Sequence, residues 1–298
     1  MRLSLGTAQF GLDYGVTNAH GQVPENAIAA ILQTAKANGI AHIDTAAAYG
    51  TAETVLQTAG PLTDGFSITS KIPSLKGLTP PEAVSKIGAC AAQSKQLLGA
   101  NLQRLLFHDV SDLLGPEGLL YWQALEEAAA QQDISQIGVS VYTGEDISGV
   151  LGLCTPSAVQ LPINIFDQRL LQDGSLEALK GRGVAIEARS VFLQGTLLSA
   201  AGALPGTLSA LQQPLHDLRD AAQSNGLSTL DICLGFLRLT GLIDTAVVGV
   251  TTAEELEQIC SAMQTPIAAL PYQNFSQSDP MVLDPRYWPK IQMQRATS

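Results

Sequence analysis

The sequence predicts an α/β fold, a (β/α)8 barrel of parallel strands in which each strand is followed by a helical stretch. Three observations predict it. Short apolar or β-branched runs alternate with longer Ala-, Leu-, Glu- and Gln-rich stretches of helical spacing, the pattern of a parallel sheet covered by helices. The 298 residues are 46% hydrophobic, enough for a sizeable core, and about eight strand–helix units in roughly 250 residues is the barrel count in one domain. Gly6-Thr7-Ala8-Gln9-Phe10-Gly11 does not match the Gly-x-Gly-x-x-Gly loop that a doubly wound open sheet places after a strand.

The expected strands are Leu3–Leu5, Ile40–Asp44, Phe66–Thr69, Arg104–Phe107, Gln136–Val139, Ala158–Leu161, Val184–Ala188 and Thr245–Val248. Helical spacing marks Glu25–Asn38, Pro81–Leu98, Pro116–Gln131, Leu208–Ser224 and Ala253–Met263. Pro24 and Glu25 suit a helix start, where a missing N–H costs nothing and a carboxylate meets the positive dipole end. Gly39 after Lys36-Ala37-Asn38 suits a helix stop, and Thr79-Pro80-Pro81-Glu82 opens the next long helix. From about Thr265, the prolines 266, 271, 280, 285 and 289 rule out one long helix. Tyr272, Phe275, Tyr287 and Trp288 are too apolar for a free tail. The expectation is a single domain over 1–298, with the tail of about 265–298 packed over the barrel and closing its rim, anchored by Trp288.

Net charge is −11. Such a surface repels nucleic acid and anionic lipid, and no basic cluster offsets it. No apolar run approaches the ~18 residues that span a bilayer, and the N-terminus is not a secretory signal, so a cytoplasmic location is expected. Cys90, Cys154, Cys233 and Cys260 form no CxxC pair, which points to separate thiols rather than a zinc or redox site. With four histidines, a metal-dependent barrel lyase or isomerase is disfavoured and no metal is expected. Nothing in the sequence determines an oligomeric state.

Chemistry in such a barrel sits at the carboxyl ends of the strands. Asp44 closes the second strand, Lys71 follows the third, His108 follows the fourth, and Tyr49 lies in the loop after Asp44. A tyrosine hydroxyl titrates near ~10 and is a poor acid at neutral pH. A lysine beside it favours the phenolate and lowers that value, an aspartate keeps the lysine charged and aimed, and a histidine can orient a carbonyl oxygen. Together they can protonate an oxygen while a hydride from a cofactor reaches its carbon. His42 shares strand parity with Asp44 and is read as a core histidine; His20 and His216 are read as surface residues. Tyr14 and Phe10, after the first strand, either line a substrate pocket or pack.

His42-Ile43-Asp44-Thr45-Ala46-x-x-Tyr49-Gly50, then Ser70-Lys71, then Phe107-His108, resembles the tetrad of the aldo-keto reductase family. Gly6-Thr7-x-x-Phe10-Gly11, Ile137-Gly138-Val139-Ser140, Val159-Gln160-x-Pro162-x-Asn164, Glu187-Ala188-Arg189-Ser190-x-x-x-Gln194-Gly195 and Val248-Gly249-Val250-Thr251-Thr252-x-Glu254-Glu255-Leu256 are similar to its strand motifs, in order over about residues 1–265. The resemblance implies a (β/α)8 barrel and NAD(P)H-dependent reduction of a small-molecule aldehyde or ketone. Tyr49 would be the general acid, Lys71 and Asp44 its tuning pair, and His108 the carbonyl-orienting group. Gly6, Thr7, Ser140, Gln160, Arg189, Gly249, Thr251 and Thr252 would contact the cofactor, with Ser140 and Gln160 at the carboxamide. Arg189 stands where the family commonly has an aromatic under the nicotinamide, and Val141 where it often has Asn. Glu255 stands where an Arg often grips the 2′-phosphate of NADP, and Ile259 where an Asn often meets the adenine, so both NADPH and NADH are expected cofactors. These departures keep one alternative open: a non-catalytic nicotinamide-binding barrel acting as a sensor or subunit.

Overall fold

The computed structural model describes residues 1–18, 20–199, 204, 206–267 and 271–288. Its strands are β1 (Arg2–Gly6), β2 (His42–Asp44), β3 (Ser67–Ile72), β4 (Leu102–Phe107), β5 (Gln136–Ser140), β6 (Ala158–Pro162), β7 (Ala185–Arg189) and β8 (Thr245–Gly249). Each pairs in parallel with the next, and β8 returns to β1 from Arg2↔Thr245 to Gly6↔Gly249, closing a (β/α)8 TIM barrel. All the expected strands form. β3 runs on through Lys71, so this lysine lies within a strand rather than after one.

Successive residues of each strand face opposite ways. Leu5, Ile43, Leu105, Val139, Val159, Ile186 and Val248 face outward and are fully buried. They meet Ile31, Ile87, Leu125, Leu179 and other apolar residues of the surrounding helices in one continuous core. Burying each such side chain contributes about 1.5–3 kcal/mol against the exposed state. Many of the inward positions are polar instead. Arg104 of β4 pairs with Glu187 of β7 across the interior. Gln160 Nε2 of β6 donates to Glu187 Oε2 at 3.2 Å and to Asp44 Oδ2 at 2.7 Å. The result is one hydrogen-bonded column from mid-barrel to the carboxyl rim.

Helices Glu25–Ala37, Pro80–Leu98, Gly118–Gln131, Gln212–Ser224 and Ala253–Ala262 answer to the helical spacing in the sequence. Glu82 accepts from the Thr79 backbone N–H at 2.8 Å in a reciprocal cap. Ala52–Thr58, Gly144–Leu153, Ser175–Gly181 and Thr229–Thr240 complete the ring, none of them singled out by the periodicity. The described part of the tail packs as expected. Tyr272 O accepts from Gln168 Nε2 at 2.8 Å, Gln277 N donates to Phe166 O at 2.8 Å, and Trp288 is buried. Residues 289–298, expected to help close the rim, lie outside the described residues.

Candidate active site

Asp44 ends β2 with its carboxylate at the floor of the rim, 3% exposed. Its backbone carbonyl is held from below by the Thr7 N–H at 2.9 Å and the Thr7 hydroxyl at 3.0 Å. Lys71, 0% exposed, reaches Asp44 Oδ1 at 2.7 Å, Asp44 Oδ2 at 2.8 Å and the Thr45 carbonyl at 2.9 Å. The chain leaving β2 turns sharply, with Tyr49 N donating to Ala46 O at 2.9 Å and Ala52 N to Tyr49 O at 3.0 Å. This turn brings the Tyr49 hydroxyl to 3.5 Å from Lys71 Nζ. His108 stands edge-on to the Tyr49 ring at a centroid distance of 5.6 Å. All four residues picked from strand ends therefore meet at one place.

Two glycines make the turn possible. A Cβ on Gly11 would overlap the Tyr49 carbonyl, and Gly50, at φ +58°, is packed against the Gly11 carbonyl. Gly11→Ala is expected to cost about 1–3 kcal/mol of stability through overpacking and to displace Tyr49 from Lys71. Thermal melting together with kcat checks it; a variant unchanged in both contradicts this account of the turn.

The electrostatics follow from burial. Loss of solvent pushes the Tyr49 hydroxyl above its usual value; Lys71 acts in the opposite direction but is itself offset by Asp44. The net effect is the reverse of the lowering expected from Lys71 alone, and the hydroxyl stays protonated at neutral pH. Burial works against the Lys71 ammonium more than any single neighbour favours it, but Asp44, Tyr49 and Glu187 together outweigh burial, and Lys71 is raised overall. Burial, then the Lys71 charge, lowers His108 to about 4. Its imidazole is neutral at pH 7 and can donate one N–H. Since an unfolded histidine titrates near ~6.5, the fold loses stability as pH falls from there toward the folded value.

A cleft of about 790 Å³ opens above this floor, within the size range of ligand and cofactor sites. Asp44, Tyr49 and His108 line one part of it, with Gly6, Thr7, Ser140, Gln160, Arg189, Gly249 and Thr251. Thr252 is not among the lining residues. Its hydroxyl accepts the Glu255 N–H at 3.2 Å and caps the helix Ala253–Ala262. Glu255, at the lip, is held there: its Oε2 accepts from Thr251 N at 2.6 Å and Thr251 Oγ1 at 3.1 Å. Ile259 also lines the cleft, and Val141 is fully buried beside it. Tyr14 lines the cleft, whereas Phe10 is wholly buried in the core. His20 lies at the exposed lip and His216 on the surface beside Asp220; His42 is half-buried at the inward parity. The size and lining of the cleft suit a dinucleotide: the side-chain amides of Gln9 and Gln160 and the hydroxyls of Thr7, Ser140 and Thr251 are among its walls.

Several contributors were not legible in the sequence. Glu187 and Arg104 complete the buried column but lie far apart in the chain. Tyr142 and the tail residue Arg286 line the cleft, with the Arg286 guanidinium 3.4 Å from the Tyr142 ring centroid. After β7, Ser190, Leu193 and Gln194 adopt left-handed backbone at φ 55°, 48° and 53°. Such non-glycine conformations persist where the surroundings overdetermine them and cluster at functional sites. Here Leu193 is buried, Leu193 N donates to Ser190 O at 2.9 Å, and Gln194 lines the cleft. Among the described residues, no three His, Cys, Asp or Glu side chains are grouped to hold a metal ion, no helix is long and apolar enough to cross a membrane, and the four cysteines are free.

Among solved structures, the holo form of the aldo-keto reductase AKR11C1 from Bacillus halodurans is similar at 20% identity and TM-score 0.72, over 92% of this chain and 90% of that one. Its apo form matches at 17% identity and TM-score 0.67, over 89% of each chain. PA4992 from Pseudomonas aeruginosa matches at 18% and TM-score 0.65, over 88% of each. At these identities the likeness is one of fold. No curated protein matches the chain. The model of the Aldo/keto reductase family matches residues 2–278. The chain belongs to the aldo/keto reductase family, a family of oxidoreductases.

Proposed function

We propose that the protein reduces an aldehyde or ketone to an alcohol with NAD(P)H, reversibly, with Tyr49 as the proton donor. The observation that carries this reading is the Tyr49 hydroxyl 3.5 Å from the buried Lys71 ammonium, beside a neutral His108. The cofactor, when bound, supplies the hydride; the C=O bond becomes a C–H and an O–H. Tyr49 OH and one His108 N–H hold the carbonyl oxygen, and Tyr49 gives up its proton as charge develops there. Lys71 stabilises the resulting phenolate, and Asp44 keeps Lys71 charged and in place. Ser140 and the side-chain Oε1 of Gln160 suit the cofactor's carboxamide, and Gly6, Thr7, Arg189, Gly249 and Thr251 shape the remaining cleft. Thr252 contributes through the helix start. In this reading the chain is one domain, works on small molecules in the cytoplasm, and needs no metal. Purified protein is tested with NADPH and NADH against a panel of aldehydes and ketones, following cofactor absorbance. Turnover supports the reading; tight cofactor binding with no turnover favours the sensor alternative instead.

The cofactor choice follows from Glu255. Its carboxylate accepts the Thr251 N–H and hydroxyl that a 2′-phosphate at this lip would otherwise take, and it repels that phosphate as a like charge. At an effective dielectric of ~20, two unit charges ~4 Å apart interact by about 4 kcal/mol before screening reduces it. NADH is therefore accepted within about tenfold of NADPH, and Glu255→Arg moves the ratio of dissociation constants about tenfold toward NADPH. Titration of both cofactors into both proteins decides it. A wild type preferring NADPH by a hundredfold, with a ratio unmoved by the substitution, contradicts the assignment.

A further inference from the structure

The cleft carries a cation whose charge has no part in the hydride and proton steps. Arg189 ends β7 at the inward parity, level with Pro162 of β6. Its Nη2 donates to Val141 O at 3.0 Å, and its guanidinium lies 4.1 Å from the Tyr142 ring centroid. The Arg286 guanidinium lies against the same ring at 3.4 Å. Asp284 accepts from Arg286 Nε at 2.9 Å and from Nη2 at 2.6 Å, so Arg286 is answered within the tail. Lys71 is answered by Asp44. Among the described residues, no carboxylate forms an ion pair with Arg189.

In a chain of net charge −11, a cleft-lining guanidinium without a carboxylate is a local reversal of sign. Arg189 keeps unused N–H donors: of five, one goes to Val141 and another makes only a 3.5 Å contact with Ser190 Oγ. It lines the same cleft as Tyr49 and His108. Glu255 and Thr251 sit on the β8 side, whereas Arg189 leans toward the residues that follow β5. A tyrosine ring and a backbone carbonyl hold the guanidinium in place, and a planar fork so held matches carboxylate or phosphate oxygens.

We propose that the carbonyl substrate carries an anionic group, a carboxylate or phosphate monoester, and that Arg189 binds it. This rests on the carbonyl-reductase reading and deepens it. The hydride and proton steps are unchanged; the anion is a handle that orients the carbonyl toward Tyr49 and His108.

The test compares matched substrates within each protein, so a general loss of activity cancels. The pairs are 4-oxobutanoate against its methyl ester, and glyceraldehyde 3-phosphate against glyceraldehyde. A charge-assisted hydrogen bond is worth roughly 10- to 100-fold. Wild type should favour the anionic member of at least one pair in kcat/KM by about that factor, and the pair that responds identifies carboxylate or phosphate. Arg189→Gln should bring the ratio to about threefold or less, and Arg189→Lys, which keeps the charge, should retain part of it. Ratios near one in wild type for both pairs, or a ratio unmoved in Arg189→Gln, overturn the proposal. So does an Arg189→Gln variant whose only change is weaker NADH and NADPH binding, which would assign the residue to the cofactor. If no carbonyl compound turns over, the reductase reading fails. The anion site is then judged by calorimetry with succinate and inorganic phosphate: binding in wild type that weakens in Arg189→Gln supports it, and no binding overturns it.

Discussion

Tyr49→Phe is expected to lower kcat for carbonyl reduction by about 10²- to 10⁴-fold, the usual contribution of a positioned general acid, equivalent to roughly 3–5 kcal/mol of barrier. The substitution removes one hydroxyl, 3.5 Å from Lys71 Nζ, and leaves the ring against His108. Cofactor dissociation constants should change little. A second tyrosine gives an internal control. Tyr14 also lines the cleft but has no hydrogen bond from Lys71, so Tyr14→Phe should have a much smaller effect on kcat. Steady-state kinetics on both variants is the check. More than half of the wild-type kcat in Tyr49→Phe, or a larger loss in Tyr14→Phe, assigns the proton to another group.

Lys71→Met should cost both activity and stability. The ammonium is 0% exposed and makes its closest bonds to Asp44, so the substitution strands a buried carboxylate with the Gln160 amide as its remaining side-chain donor. Removing one partner of a buried ion pair typically costs about 3–5 kcal/mol. Asp44→Asn keeps a hydrogen-bonding oxygen beside Lys71 and should be milder in kcat. The double variant should be less destabilised than the sum of the two, because neither charge is then left alone. Lys71 has a raised folded value, so its contribution is complete below the unfolded value near ~10.4 and fades only as pH rises through the folded one. Denaturant melts at pH 7 report the whole effect; additive losses in the double variant would show that the pair is not coupled.

The strands, most of the longer helices and the candidate tetrad were legible in the sequence because their signals are local. Ile43 and Asp44 alternate outward and inward over adjacent residues, Glu82 caps from three positions after Thr79, and Pro24 and Gly39 bound one helix. The short helices Ala52–Thr58 and Ser175–Gly181 were not, since seven residues give too few turns for a periodicity to stand out. The order Asp44, Tyr49, Lys71, His108 pointed to a reacting centre, and barrel closure then brought these residues together.

What only the tertiary structure decided are the partners. Lys71 was expected to lower Tyr49; burial of the whole cluster reverses the sign. Arg104 and Glu187 meet across the barrel from strands whose spacing in the sequence says nothing of it. Arg286 reaches Tyr142 from a proline-rich tail with no periodicity to read. Local alternation determines which residues face inward, but which inward residue meets which depends on strand register and on β8 returning to β1, and those are properties of the closed barrel alone.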